Sequence, residues 1–134
     1  MTDRELIEAA FDAMNMAYAP YSGCKVGAAL LAADGRVFKG CNIENAAFGP
    51  TCCAERTAFF KAVSEGAKTF VKIAVCGGKD GRVTDYFWPC GVCRQVMSEF
   101  CGRGFEIITA KSAEDYAKST LGEMLPNAFS DKNL

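Results

Sequence analysis

Apolar residues near the start of the chain recur at intervals of three and four positions. They are Leu6, Ile7, Ala10, Phe11, Met14 and Tyr18. This spacing predicts an amphipathic helix over residues 2–18 that begins near a Thr or Asp cap. Pro20 is expected to end it, because the residue before a proline disfavours helical backbone.

The pattern then changes to β-favouring apolar runs separated by turn residues. Residues 24–33 are rich in Val, Ala and Leu, and Asp34-Gly35 separates them from a second run over 36–41. Two short runs flanking Asp-Gly predict a β-hairpin. A polar loop over 42–51 follows and leads into a predicted helix over 52–65 that ends at Gly66.

The rest of the chain alternates strands and short helices. The predicted elements are a strand over 70–76, a glycine-rich loop over 77–89, a helix over 91–100, strands over 105–110 and 116–120, and one helical turn over 121–125. This order predicts a sheet covered by helices on both faces. We therefore expect an α/β fold, a three-layer α/β/α sandwich with a mixed five-stranded sheet, in one domain over residues 1–134.

Charge and hydropathy exclude two classes of partner. The formal net charge is −1, from 15 basic and 16 acidic residues, and no run of Lys or Arg is long enough to follow a phosphate backbone. The N-terminus is polar, and the apolar run over 26–33 is too short to span a bilayer. We expect no nucleic-acid partner, no membrane partner and a cytoplasmic location.

The chain has eight cysteines and no histidine. A metal ion held within one chain must then be bound by sulfur or carboxylate rather than by imidazole. Hydrolysis by a nucleophile paired with histidine is excluded. With no sign of export, metal binding and burial explain the cysteines better than disulfides do.

Two cysteine motifs carry the candidate chemistry, Cys52-Cys53-Ala54-Glu55-Arg56 and Pro89-Cys90-Gly91-Val92-Cys93-Arg94. They read as C-A-E followed by P-C-x-x-C, the signature form of the zinc deaminases. In this form Cys53, Cys90 and Cys93 bind one zinc ion and Glu55 stays free as general acid and base. Both motifs lie at predicted helix starts, where the helix dipole lowers thiol pKa values.

Geometry leaves two alternatives open at the metal. Cys52 also has suitable spacing to Glu55, so only the motif favours Cys53. Three thiolates give the zinc site a net charge of about −1, and we expect Arg56 and Arg94 to donate hydrogen bonds to the ligand sulfurs in compensation. The cysteines without a spaced partner are interpreted as buried small hydrophobes. These are Cys24, Cys41, Cys76 and Cys101.

The chain resembles the cytidine deaminases of the small, three-cysteine zinc type that assembles as a homotetramer. Beyond the two cysteine motifs, the resemblance rests on the sequences over residues 16–22, 26–31, 40–46 and 125–129. It implies one Zn²⁺ per chain and hydrolytic deamination of cytidine and deoxycytidine to uridine and deoxyuridine, with release of ammonia, in pyrimidine salvage.

The resemblance also implies roles for single residues. Asn42 and Glu44 match a pair that binds the ribose hydroxyl, and Ala54 matches a residue whose backbone amide meets the base. Phe48 matches a residue that lines the pocket. Phe129 matches an aromatic residue that reaches a neighbouring subunit's active site, which implies active sites at subunit interfaces.

One departure from the family pattern affects the pocket. Members usually have Phe where this chain has Cys24, and an aromatic group, Tyr86, Phe87 and Trp88, precedes Pro89. We hypothesise that one of these rings compensates for Cys24.

Two other functions remain as alternatives. Deamination of another small heterocycle, such as blasticidin S, uses the same zinc motif, although Asn42-Ile43-Glu44-Asn45 favours a nucleoside. A non-catalytic zinc-binding module is a weaker alternative, because three ligands and a free Glu are an unusual closed metal site.

Overall fold

Five strands form one sheet in the computed structural model of the chain, which describes residues 1–134. The strands are β1 (Cys24–Ala32), β2 (Val37–Cys41), β3 (Phe70–Lys79), β4 (Glu106–Ala110) and β5 (Tyr116–Thr120). Their order across the sheet is β2-β1-β3-β4-β5. The pair β3 and β4 is parallel and the other neighbours are antiparallel, so the sheet is mixed, as predicted.

Helices cover both faces of this sheet and confirm the three-layer architecture. They are α1 (Asp3–Met14), α2 (Ala54–Ser64), α3 (Gly91–Phe100) and the single turn α4 (Leu121–Met124), followed by a 3₁₀ turn over Asp131–Asn133. Alternate residues of β1 divide between two cores: Ala29 packs with α1, whereas Leu30 packs with α2 and α3. None of these helices has the length and apolar character needed to cross a membrane.

The start of α1 is as predicted, but its end is not. Thr2 caps the helix, because its hydroxyl accepts from the Glu5 amide at 3.1 Å and the Glu5 carboxylate accepts from the Thr2 amide at 3.1 Å. The helix ends at Met14 rather than near Tyr18. The Tyr18 amide donates instead to the Asn42 carbonyl at 3.0 Å, so a long-range backbone contact replaces the last predicted turn.

Strand β3 is longer than predicted. The sequence assigned Gly77 and Gly78 to a loop, yet they pair with Val26 and Lys25 of β1, and the strand continues to Lys79. A β-carbon on Gly78 would lie 1.9 Å from the Arg82 carbonyl oxygen, so this glycine is needed where the chain turns back on itself. The bounds of α3 and β5 agree with the prediction.

Helix α2 lies directly against β2. A β-carbon on Gly40 would lie 2.5 Å from both the Ala54 carbonyl oxygen and the Ala58 amide nitrogen. Glycine at this position therefore lets the first turn of α2 approach the sheet. The helix ends before Gly66, whose φ of 95° is left-handed, as predicted.

Candidate active site

Three thiols meet between the N-termini of α2 and α3. Cys53 and Cys90 are the N-cap residues of the two helices, and Cys93 lies in the first turn of α3. The Sγ atoms of Cys53 and Cys90 are 3.8 Å apart, those of Cys90 and Cys93 are 3.6 Å apart, and all three lie within 4.8 Å of one another. A tetrahedral zinc with bonds of about 2.3 Å places neighbouring sulfurs roughly 3.8 Å apart. The thiols therefore fit one zinc ion per chain.

The structure distinguishes between the two adjacent cysteines. Cys53 lies in the cluster and Cys52 does not. The Cys52 sulfur accepts instead from the Thr57 hydroxyl at 3.8 Å, and its amide pairs with the Ile43 carbonyl at 2.9 Å. The motif-based choice of Cys53 thus agrees with the geometry.

Arg56 is the arginine that contacts the cluster. Its Nη2 donates to the Cys53 sulfur at 3.3 Å, and its Nε is buried without a partner. Hydrogen bonds from Cys93 and Arg56 lower the pKa of the Cys53 thiol to about 5. Burial opposes the charged form of Arg56, but the Cys53 and Cys93 sulfurs raise its pKa.

Arg94 does not donate to a sulfur, and this part of the prediction is wrong. Its Nε donates to the Pro89 carbonyl at 2.7 Å and its Nη1 to the Met124 carbonyl at 2.9 Å. Met124 ends α4, and carbonyls in a last helical turn lack a partner within the helix. Arg94 therefore fixes the backbone immediately before Cys90 rather than the charge of the ligands.

Glu55 is the buried acid of the site. It occupies the first turn of α2, two residues after Cys53, and is only 3% exposed. Burial raises the pKa of its carboxyl to about 7, and the negative charge of Cys53 adds to this shift. A carboxyl with a pKa near neutrality can both accept and donate a proton at physiological pH.

A cavity of about 340 Å³ joins Glu55 and the thiols of Cys53 and Cys90 to Asn42 and Glu44, two of the predicted substrate residues. Its lining comprises Ser22, Cys24, Val26, Asn42, Glu44, Thr51, Cys52, Cys53, Glu55, Phe87, Trp88 and Cys90. This volume lies at the lower end of the range for small-molecule sites. Acid, metal ligands and polar groups therefore face one small space.

Asn42 ties the cavity wall to β1. Its Oδ1 accepts from the Val26 amide at 2.9 Å, and its Nδ2 donates to the Cys24 carbonyl at 2.7 Å. The residue is 9% exposed. An amide NH₂ carries two hydrogens, so one donor remains for a ligand.

Glu44 accepts three hydrogen bonds from the turn that precedes β1. The amides of Tyr21 and Ser22 donate to Oε1 at 2.9 and 3.1 Å, and the Ser22 hydroxyl donates to Oε2 at 2.5 Å. These three hydrogen bonds lower the pKa of the Glu44 carboxyl, and the bond from the Ser22 hydroxyl has the largest effect. The group therefore faces the cavity as a carboxylate.

The remaining predicted residues lie in different environments. Ala54 is fully buried as the first residue of α2. Phe48 does not line the cavity as expected, because the loop after Ile43 turns it outward and leaves it 92% exposed. Phe129 is 59% exposed, with its carbonyl accepting from Gln95 Nε2 at 2.9 Å, and its contribution to a neighbouring subunit stays a prediction.

Aromatic rings do line the cavity that Cys24, in place of the usual phenylalanine, also lines. Phe87 and Trp88 line the cavity together with Cys24. Tyr86 does not, because its hydroxyl donates to Asp115 at 2.6 Å and its ring lies under the Lys111 ammonium. The arrangement is compatible with compensation for Cys24 by Phe87 or Trp88.

Ser22 is a cavity residue that the sequence did not single out. It lines the cavity between Tyr21 and the start of β1 and contacts Glu44 directly. The signals for it were its place in a polar turn immediately before a strand and in the segment over residues 16–22 that resembles the family. Among the cysteines interpreted as buried, Cys76 is fully buried, and Cys24, Cys41 and Cys101 are half-buried.

Comparison with known proteins agrees with this geometry. Residues 1–108 match the family model described as the cytidine and deoxycytidylate deaminase zinc-binding region. The chain is 46% identical over 134 residues to the cytidine deaminase of Sporosarcina psychrophila, covering 100% of this chain and 96% of that protein. It is 47% identical over 133 residues to the cytidine deaminase of Halalkalibacterium halodurans, covering 98% of each.

Solved structures show the same fold. The crystal structure of cytidine deaminase from Burkholderia pseudomallei superposes with a TM-score of 0.88 at 46% identity, covering 96% of this chain and 100% of that chain. The crystal structure of cytidine deaminase from Mycobacterium tuberculosis gives a TM-score of 0.82 at 38% identity, covering 96% and 98%.

Proposed function

Since the chain belongs to the cytidine and deoxycytidylate deaminase family and catalyses the zinc-dependent hydrolytic deamination of cytidine, we propose that Glu55 is its general acid and base. The observation that carries this assignment is the position of Glu55. It is a buried carboxyl that lines the same cavity as Cys53 and Cys90, two of the three thiols in the cluster that Cys93 completes.

Cys53, Cys90 and Cys93 would hold the zinc ion, which would supply the Lewis acidity that makes water a nucleophile near neutral pH. Glu55 accepts a proton as water attacks C4 of the pyrimidine and delivers it to the ring nitrogen. It then assists the departure of ammonia, so cytidine and water give uridine and ammonia. A pKa of about 7 suits a group that both takes and returns a proton.

The other residues bind and orient the substrate. The backbone amide of Ala54 meets the base, and Asn42 and Glu44 bind a sugar hydroxyl as donor and acceptor. Arg56 offsets the negative charge of the thiolates through its hydrogen bond to Cys53. The same site accepts deoxycytidine if Glu44 and Asn42 act on a hydroxyl that both sugars share.

We extend the proposal to the whole molecule: residues 1–134 form one deaminase domain that assembles as a homotetramer with active sites at subunit interfaces. Exposed large apolar side chains support an interface, among them Met16, Phe48 and Phe129. All eight cysteines are free, which supports a reducing compartment such as the cytoplasm, where a role in pyrimidine salvage places the enzyme.

The test measures turnover by the absorbance change of cytidine, deoxycytidine and blasticidin S, at equal zinc content. We expect Glu55→Gln to lower kcat for cytidine by about 10²- to 10⁴-fold, because the proton carrier is lost. The matched control is Glu65→Gln, at the exposed end of the same helix. Turnover at the wild-type rate by Glu55→Gln would exclude the role of Glu55 as general acid and base. Faster turnover of blasticidin S than of cytidine would show that cytidine is not the preferred substrate.

A further inference from the structure

We propose that Lys79 is a positioning residue for the sugar side of the cavity, because it holds the turn that orients Glu44. This inference rests on the proposed role of Glu44 in binding a sugar hydroxyl. Lys79 is the exposed last residue of β3 and does not itself line the cavity. Its effect must therefore pass through other residues.

The first link is a double contact between two turns. The Lys79 Nζ donates to the Ser22 carbonyl at 2.6 Å, and the amide of Asp80 donates to the Gly23 carbonyl at 2.7 Å. Two consecutive residues thus hold two consecutive carbonyls. A bond from an ammonium group is stronger than one between neutral groups, so Lys79 is the stronger of the two contacts.

The backbone of both turns is adapted to this contact. Gly23 has a φ of 71°, and a β-carbon there would lie 2.8 Å from the Lys79 Nζ. Asp80 has a φ of 55°, a left-handed value that is uncommon for residues other than glycine. The left-handed backbone at Gly23 and at Asp80 places the donors of one turn opposite the carbonyls of the other. The contact between the two turns offsets the energetic cost of this backbone conformation.

The second link runs from the held turn to Glu44. The turn supplies all three donors to the carboxylate, namely the Tyr21 amide, the Ser22 amide and the Ser22 hydroxyl. The Ser22 oxygen also accepts from the Cys24 amide at 2.9 Å, which fixes its direction at the start of β1. A shift of the Ser22 backbone would therefore move the donors that aim Glu44.

The geometry leaves one acceptor position for substrate. An ionised carboxylate offers about four lone-pair sites. Two amides occupy Oε1 and one hydroxyl occupies Oε2, so Oε2 retains a site for a sugar hydroxyl. The hydrogen bonds from Ser22 and Tyr21 lower the pKa of Glu44, and the positive charge of Lys79 lowers it further by a smaller amount. This acceptor therefore stays ionised.

The test separates sugar recognition from chemistry. Lys79→Met keeps an unbranched side chain that is one atom shorter and removes the donor, Lys79→Arg keeps a cation, and Lys68→Met is the control at another exposed lysine. The substrates are cytidine and 2′,3′-dideoxycytidine, which lacks the sugar hydroxyls that Glu44 could bind. Zinc content is matched for all variants.

We expect Lys79→Met to raise KM for cytidine about three- to tenfold and to change kcat less than about twofold. The variant loses one hydrogen bond from a charged group, and that bond affects the substrate only indirectly, through Glu44. Lys79→Arg should restore much of the loss, and Lys68→Met should behave as wild type. For dideoxycytidine, wild type and Lys79→Met should have equal kcat/KM. An equal rise in KM for both substrates, or no change for either, would overturn the proposal.

A binding measurement keeps this result distinct from the proposed function. Calorimetric titration with uridine reports sugar recognition whether or not the enzyme turns over cytidine. Weaker uridine binding in Lys79→Met and in Glu44→Gln supports the link between the two residues. Unchanged binding in Glu44→Gln would overturn the role of Glu44, and that of Lys79 with it, while leaving deaminase activity intact.

Discussion

The net charge of the metal site depends on a few single residues, because the chain has no histidine that could serve as a neutral ligand. Three thiolates and one Zn²⁺ sum to −1, which weakens the metal as a Lewis acid. The cation that contacts the cluster is Arg56, whose Nη2 is 3.3 Å from the Cys53 sulfur and whose Nε is buried without a partner.

Arg56→Met should weaken zinc retention by about 10-fold or more, as is typical when a partner of a metal ligand is lost. The physical reason is the loss of the only guanidinium bonded to a ligand sulfur. Competition with a chelator measures the change directly. Arg36→Met is the control, since Arg36 pairs with Asp34 at an exposed site, and equal zinc affinity in both variants would contradict the role of Arg56.

At the scale of elements, the catalytic geometry depends on how closely α2 approaches β2. Gly40→Ala places a methyl group 2.5 Å from backbone atoms of Ala54 and Ala58, so the first turn of α2 must move. We expect a loss of about 1–3 kcal/mol in the free energy of unfolding. We also expect lower kcat, because Cys53 and Glu55 start this helix.

Urea unfolding and turnover at matched zinc content measure these two effects. Gly49→Ala is the control, because a β-carbon at Gly49 meets no atom within 4 Å and its φ is not left-handed. If Gly40→Ala were as stable and as active as Gly49→Ala, close packing of α2 would not matter.

Helix α1 is fastened to the sheet by an ion-pair cluster. The carboxylate of Asp3 lies 2.6 Å from the Lys72 Nζ on β3 and 2.5 Å from the Lys118 Nζ on β5, and its side chain is 17% exposed. Hydrogen bonds from Lys118 and then Lys72 lower the pKa of Asp3 below its ordinary value of 3.8. Asp3 therefore stabilises the fold when it is ionised.

Asp3→Asn should lower the free energy of unfolding at pH 7 by about 1–2 kcal/mol, between the values for exposed and buried pairs. Because the folded-state pKa is lowered, this contribution is complete above pH 3.8 and is lost as the pH falls through the folded pKa. Urea midpoints at pH 7, 5, 3 and 2 measure it, with Asp12→Asn as control at the weaker 3.9 Å pair to Lys39. A difference that stayed constant down to pH 2 would contradict the assignment.

The order and type of the elements were predictable because local patterns determine them, whereas two boundaries depended on distant partners. Tyr18 continues the helical spacing of α1, but its amide bonds to Asn42. Gly77 and Gly78 indicate a loop in isolation, yet β1 pairs with them. In both cases a tertiary backbone contact outweighs local preference.

For the whole molecule, the site was predictable where two cysteine motifs lie at helix starts, as for Cys53, Glu55, Cys90 and Cys93. It was not predictable where a long side chain selects among several acceptors. Arg94 follows Cys93 directly in sequence but bonds to Met124, which only the fold brings near. Phe48, which the resemblance implied would line the pocket, is 92% exposed in the single chain.

Assembly itself can be tested by mixing two impaired variants. If Phe129 completes the site of a neighbouring subunit, Phe129→Ala subunits retain Glu55 but leave the neighbour's pocket without its aromatic ring. Glu55→Gln subunits lack the catalytic acid but supply an intact Phe129 to the neighbour. Each variant alone should be nearly inactive. In a random mixture of subunits, roughly a quarter of sites combine an intact Glu55 with an intact Phe129 from the neighbour, so activity should return to about that fraction of wild type.

Co-expression of the two variants with different affinity tags, followed by purification through both tags, isolates the mixed assemblies. Sedimentation of the same sample gives the number of 14.4 kDa chains in each particle, with four expected. Recovered activity requires that Glu55 and Phe129 in one working site come from different chains. Absence of recovery in assemblies that contain both variants would show that each chain completes its own site, and the exposed ring of Phe129 would then need another partner.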